Sequence, residues 1–241
     1  MSDMPHVLRH TRYTLRHPFR TVWRALMPWY IRLFRPGRYN ALVVERLAGM
    51  TLIVLPNVFN GVLLRSGKFL AQTLDERLIP RNSRVLEVGS GSGLNAIRAA
   101  QLGAHVVAVD INPDAVRCTQ INVLLNRVED RVQAQQGDLF APVRDEQFDS
   151  ILFNPPYFHG APRGSLDQAW RGEGVFERFL AGLDDMLAPQ GYALVVLSSD
   201  GDLLPALEAV SRQGWHVSVS ASRDLINEVF TLYRIEREVT R

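Results

Sequence analysis

From residue 84 onward, short apolar runs alternate with stretches in which apolar residues recur every three to four positions. Runs such as Val85-Leu86-Glu87-Val88, His105-Val106-Val107-Ala108-Val109 and Ser150-Ile151-Leu152-Phe153 read as buried strands, and the periodic stretches between them as helices. The pattern predicts strands over 84–88, 105–110, 131–135, 149–153, 192–197, 215–220 and 227–235, with helices over 94–102, 113–126, 175–187 and 203–212. Strands alternating with helices build an α/β domain around a doubly wound, mostly parallel, seven-stranded sheet of Rossmann-like form.

The chain before this region follows a different pattern. Arg16, Arg20 and Arg24 recur every four residues opposite Leu15, Phe19, Val22, Trp23 and Leu26, the period of an amphipathic helix. Pro18 and Pro28 suit first-turn positions and predict two short helices, and Arg35-Pro36-Gly37 predicts a stop. Residues 49–64 read as a short strand and a turn, and 66–77 as a helix leading into the sheet. The expected organisation is an Arg-rich helical extension over 1–48 and one domain over 49–241.

Charge sharpens that division. Residues 1–40 hold eight arginines against Asp3, a net +7, which leaves −5 for the remainder of a chain whose total is +2. Three readings of the extension stand side by side. It grips nucleic acid through Arg and the interleaved Phe19, Trp23, Trp29, Tyr30 and Phe34; it lies on an anionic membrane; or it packs on the domain with solvated arginines or as a lid. The single cysteine, Cys118, excludes a disulfide framework and reads as a small apolar residue on a helix. No apolar run approaches the roughly 20 residues a bilayer requires. The expected location is cytoplasmic, or peripheral at a membrane surface.

Two stretches carry chemistry. Asn154-Pro155-Pro156-Tyr157 follows the apolar run 150–153, and ligands of open α/β sheets sit beyond the carboxyl ends of such strands. An Asn carbonyl and a proline carbonyl can each accept one hydrogen bond from an NH2 group while a Tyr ring stacks on its plane, so the tetrapeptide suits a planar nitrogen that accepts a methyl group. The bland alternative is a proline turn. The second stretch is a strand that runs into Gly89-Ser90-Gly91-Ser92-Gly93 and then a helix, a turn over which a nucleotide-like group can lie close to backbone N–H groups. Asp110 ends the next strand, 21 residues after Gly89, where a carboxylate can accept from two ribose hydroxyls. The G-x-G-x-G spacing, with Glu87 placed to face an ammonium group, favours S-adenosylmethionine over a dinucleotide. Asp138, after the third strand, can accept from an adenine amino group while Leu139 covers the ring; an ordinary turn Asp is the alternative.

At VLEVGSGSG (85–93), AVDINPDAV (108–116), GDLF (137–140) and FDSILFNPPY (148–157) the chain resembles class I S-adenosylmethionine-dependent methyltransferases, and among them the HemK/PrmC-like enzymes that methylate a glutamine amide in translation release factors. The resemblance spans about residues 80–236, with a fainter likeness through Ala169-Trp170, Glu177-Arg178-Phe179 and the stretch 187–191. It implies an S-adenosylmethionine-dependent N-methyltransferase with a protein glutamine as favoured acceptor. NPPY-type motifs also serve enzymes acting on the exocyclic amines of adenine or guanine, so a nucleic-acid base stays open, as does a small or lipid-like molecule. The implied cofactor residues are Glu87, Gly89, Gly91, Gly93, Asp110, Ile111, Asp138, Leu139 and Asn154; Asn154, Pro155 and Tyr157 carry the chemistry. The chain departs from the family before the domain, where Asn57-Val58-Phe59-Asn60-Gly61 and the arginines stand.

The implied reaction is an in-line displacement in which alignment is the main task. Phe158 can wall the pocket, and His159 reads as a solvated loop residue before a proton acceptor. No metal is expected, because His6, His10 and His17 do not form a ligand set.

Overall fold

The structure is a computed structural model that describes residues 41–63, 65–156, 174–199, 201, 203–225 and 228–238. The Arg-rich segment 1–40, with His6, His10 and His17, lies outside the described residues, as do Tyr157, Phe158, His159 and Ala169-Trp170.

The described chain runs β1 (Val43–Leu47), β2 (Met50–Val54), α1 (Ser66–Thr73), β3 (Arg84–Val88), α2 (Leu94–Gln101), β4 (His105–Asp110), α3 (Pro113–Leu125), β5 (Val132–Gln136), β6 (Phe148–Phe153), α4 (Val175–Met186), β7 (Leu187–Ser198), α5 (Leu203–Arg212), β8 (Trp215–Asp224) and β9 (Val229–Arg237). Seven strands form one sheet in the order β5-β4-β3-β6-β7-β9-β8, in which only β9 runs against the others. The predicted doubly wound, mostly parallel α/β sheet is therefore present, and its strands lie within a few residues of their expected places.

Alternation along the central strands sets what each face meets. Val85, Leu152, Leu194 and Val196 pack with α1 and α2, whereas Leu86, Val88, Ile151, Phe153 and Val195 pack with α4 and α5. Strands buried on both faces read as continuous apolar runs, which is why β3 and β6 were legible. By the same parity Glu87 points to the α2 side, as does Asn154 just past the end of β6.

α1 ends at Thr73, four residues before its expected end at 77. Leu74 turns extended, and the Asp75 carboxylate then accepts from Arg77 N and Leu78 N, a side-chain cap that replaces the next helical turn. Strand β1 is not part of the sequence expectation. It pairs antiparallel with β2 from Val43 opposite Val54 to Leu47 opposite Met50, so the expected division at residue 48 falls in the turn of this hairpin.

Two asparagines fix the hairpin to the domain. Asn122 accepts from Ile53 N at 2.7 Å and donates to Ile53 O at 2.8 Å and to Ser92 O at 2.9 Å. Asn126 accepts from Thr51 N at 3.2 Å and donates to Thr51 O at 2.8 Å. Four helical residues rise about 6.0 Å and two strand residues about 6.8 Å, so side chains at i and i+4 of α3 match alternate peptides of β2. The two carboxamides thus stand in for a neighbouring strand. Asn122→Ala removes partners of Ile53 N, Ile53 O and Ser92 O, of which Ile53 O keeps the Cys118 thiol, and is expected to cost about 2 kcal/mol in urea unfolding at unchanged m-value. A loss under about 1 kcal/mol would show that the hairpin does not rely on this clamp.

Candidate active site

The glycine turn after β3 carries positive φ at Gly89 (71°), Gly91 (54°) and Gly93 (76°). Gly89 and Gly93 are needed for different reasons. A Cβ on Gly93 would sit 2.8 Å from Thr119 Cγ2 of α3, whereas one on Gly89 would meet nothing within 4 Å. Gly93 serves packing within the protein, and Gly89 opens space in which a ligand can approach the backbone. Thr119 Oγ1 also lies 3.2 Å from Ser90 Oγ and donates to Gly91 O at 3.3 Å, so α3 holds the turn from below.

Two carboxylates hold the turn from either side. Asp110, at the end of β4, accepts from Gly91 N at 2.8 Å through one oxygen and from Asn112 N at 2.9 Å through the other. Burial pushes the Asp110 carboxyl above the usual carboxylate range, and the backbone N–H groups pull it back. Glu87 is buried, with one oxygen accepting from Asn95 Nδ2 at 3.0 Å and the other from Ala96 N at 2.9 Å. It supplies the carboxylate at the amino end of α2, where the cap residue Gly93 has no side chain to offer. Burial nevertheless pushes Glu87 up to about 8, with these hydrogen bonds opposing the rise and the charge of Asp110 adding to it.

The loop after β5 completes the edge. Leu139 has φ 49°, a left-handed conformation that costs a non-glycine residue about 1 kcal/mol or more and collects at functional sites. Asp138 Oδ2 accepts from Arg178 Nη1 of α4 at 2.5 Å, with both side chains about half exposed. The sequence did not point to this partner. Ile111, next to Asp110, is 47% exposed, an aliphatic face turned outward beside two polar groups.

Asn154 and Pro155 follow β6, the strand on the other side of β3. Val88 stands opposite Phe153, so the glycine turn and Asn154 leave adjacent parallel strands at the same edge. Gln136 likewise stands opposite Asp110. The strand order therefore lines up Asp138 and Leu139, then Asp110 and Ile111, then the glycines, then Asn154 and Pro155, across three strand spacings or about 14 Å. That length suits a nucleoside joined to an amino acid, and the backbone N–H groups and carboxyl oxygens along the row fit such a group. All the sequence-derived site residues within the described part share this edge. Among the described residues, no group of three His, Cys, Asp or Glu could hold a metal ion, and no helix is long and apolar enough to cross a membrane.

Four contributors escaped the sequence reading. Thr119 supports the glycine turn, Asn112 caps α3 by accepting from Asp114 N at 3.0 Å, Phe59 has its carbonyl 3.4 Å from a Cβ built on Gly91, and Ser66 accepts from Asn154 Nδ2 at 3.1 Å. Only Asn112 left a readable signal, since Asn before Pro and an acidic residue is a helix-start pattern.

Comparison with known proteins agrees with this geometry. The family model described as the methyltransferase small domain matches residues 49–219. The chain is similar to human methyltransferase HEMK2, 31% identical over 166 residues that cover 63% of this chain and 77% of that protein. It is also similar to the ribosomal protein uL3 glutamine methyltransferase of Bordetella pertussis, 35% identical over 150 residues that cover 56% of this chain and 49% of that protein. A solved structure, the T. thermophilus 16S rRNA N2 G1207 methyltransferase in complex with AdoMet and guanosine, matches with a TM-score of 0.60 and 26% identity over 82% of this chain and 50% of that one. The chain thus spans about half the length of the Bordetella and T. thermophilus proteins. With a glycine turn, the carboxyls of Glu87 and Asp110 and an Asn-Pro-Pro loop on one sheet edge, the chain belongs to the methyltransferase small domain family and is an S-adenosylmethionine-dependent methyltransferase.

Proposed function

We propose that this enzyme methylates a planar NH2 nitrogen, with the side-chain amide of a protein glutamine as the favoured acceptor. The carrying observation is the adjacency of Asn154 to the glycine turn across the β3–β6 pair. When bound, S-adenosylmethionine supplies an electrophilic methyl group on a sulfonium. Backbone groups of Gly89, Gly91 and Gly93 would hold it, Asp110 would accept from its ribose hydroxyls, and Ile111 and Leu139 would flank its adenine. Asp138 would accept from the adenine amino group, and Glu87 would face the ammonium end.

The Asn154 side-chain carbonyl and the Pro155 carbonyl each accept one N–H of the acceptor, which draws its lone pair out of conjugation and points it along the reaction axis. Tyr157, outside the described residues, is the ring that the motif offers for stacking on the acceptor plane. The nitrogen loses its proton to water after it has taken the methyl group. Glutamine is supported by the likeness to the Bordetella uL3 glutamine enzyme. A second reading, the exocyclic amine of a nucleic-acid base, is supported by the likeness to the T. thermophilus rRNA enzyme and by the eight arginines of residues 1–40. A base target would have to be single-stranded or flipped.

Labelled S-adenosylmethionine offered to separate protein, RNA and small-molecule pools is expected to mark protein, with the label on N5-methylglutamine after enzymatic digestion and released as methylamine after acid hydrolysis. Label in RNA, lost steeply as salt rises, would favour the base reading instead. Asn154→Ala is expected to lower turnover at least about 100-fold with little change in cofactor affinity, and Asp110→Ala to weaken cofactor affinity itself. Full turnover in the Asn154 variant would remove the nitrogen-gripping role.

Glu87 makes the protein sensitive to pH. Its folded-state value of about 8 stands above the ordinary 4.5, so the folded protein retains a proton that the unfolded chain has released in between. This contribution to stability is full below about pH 4.5 and is lost as pH rises through about 8. Glu87→Gln is expected to flatten the fall in stability of the cofactor-free protein over this window. Because an ammonium group favours the carboxylate, cofactor binding near pH 7 is expected to release a proton, seen by calorimetry in buffers of different ionisation heat. The same release from Glu87→Gln would assign the proton to another group.

A further inference from the structure

We propose that Ser66 is a positioning residue that sets the orientation of the Asn154 carboxamide; this rests on the assignment of Asn154 to the acceptor nitrogen. A carboxamide carries an acceptor on one edge and a donor on the other, and the two edges have nearly the same shape. Packing alone therefore does not choose which edge faces an incoming NH2 group. A serine hydroxyl can meet either edge, and in this structure it accepts. Asn154 Nδ2 donates to Ser66 Oγ at 3.1 Å, and Ser66 is 1% exposed. With Nδ2 turned to the serine, Oδ1 lies on the opposite edge of the carboxamide, the polarity that an N–H donor requires. The reversed amide would set N–H against N–H.

Ser66 is itself firmly placed. It opens α1 between Arg65, which has φ 66°, and Gly67, where the backbone crosses that of Gly61. A Cβ on Gly67 would lie 2.9 Å from Gly61 Cα and 3.0 Å from Gly61 O, and Lys68 N donates to Gly61 O at 2.9 Å. The segment leading into this crossing also touches the cofactor side: Asn57 O accepts from Asn112 Nδ2 at 2.8 Å, and the Phe59 carbonyl lies against Gly91. One stretch of backbone thus supports both the turn under the methyl donor and the serine that orients the acceptor grip. This gives the Asn57–Gly61 stretch, which departs from the HemK-like pattern, a task in alignment.

The test combines a structural and a kinetic readout on the full chain. Ser66→Ala is expected to bind S-adenosylhomocysteine within about twofold of wild type, to shift the side-chain NH2 resonances of Asn154, and to lower methyl transfer to whichever pool the wild type labels by about tenfold. In an Asn154→Ala background it is expected to change transfer no further, because its effect passes through that amide. Ser66→Cys, close in size, repeats the measurements should the alanine variant not fold. Wild-type turnover in Asn154→Ala would overturn the reading of Asn154. Collapse in Asn154→Ala with full turnover in Ser66→Ala, or with additive losses, would overturn the role of Ser66 alone. Unmoved Asn154 resonances in Ser66→Ala would do so even if no pool is labelled.

Discussion

The parallel pairing of β3 with β6 is the constraint on which the site depends. Parallel strands bring their carboxyl ends to the same edge, so Val88 opposite Phe153 sets the glycine turn beside Asn154, one strand spacing away. An antiparallel pair would have put them at opposite ends of the sheet. The chain winds outward from β3 through β4 to β5 and then returns to the other side of β3, which makes the β3–β6 boundary the switch point where open α/β sheets leave a crevice. Both strands are buried on both faces, and a slip of one residue would turn Glu87 and Asn154 away from the α1 and α2 side, so the register is tightly held.

Holding such an edge places polar groups in the interior, and three of them hold separate parts of it together. Glu87 serves the amino end of α2, Asp110 joins the glycine turn to the loop after β4, and Asn122 takes the place of a strand beside β2. Their net contribution to stability is modest, since the cost of burial offsets much of what the hydrogen bonds return. What they confer is position. Two carboxyls raised by burial stand on either side of the glycine turn, at the amino end of α2 and at the end of β4.

The hairpin and the segment after it join these parts. β2 is fastened to α3 by Asn122 and Asn126, the following turn reaches Asn112 and Gly91, and the chain then enters α1 at Ser66 beside Asn154. A residue well before the sheet in sequence is thereby placed against the loop after β6. α1 in turn packs on the far half of the sheet through Phe69, whose ring lies 6.0 Å from that of Phe230. The glycine turn and Asn154 therefore share one backbone support.

The sheet, its winding and the row of glycines, carboxyls and Asn-Pro-Pro at its edge are legible along the chain. These are written in local periods: strands buried on both faces read as apolar runs, helices as three-to-four spacing, and loop chemistry as fixed offsets from Val88, Asp110 and Phe153. β1 escaped because Glu45 and Arg46 interrupt its run, and the Glu45 carboxylate meets Asn60 only in the folded chain. Ser66 with Asn154, Asn122 with Ile53, and Arg178 with Asp138 are 88, 69 and 40 residues apart. Those pairings arise on folding, because a polar side chain's partner follows from which elements come together in space, and no local spacing encodes it.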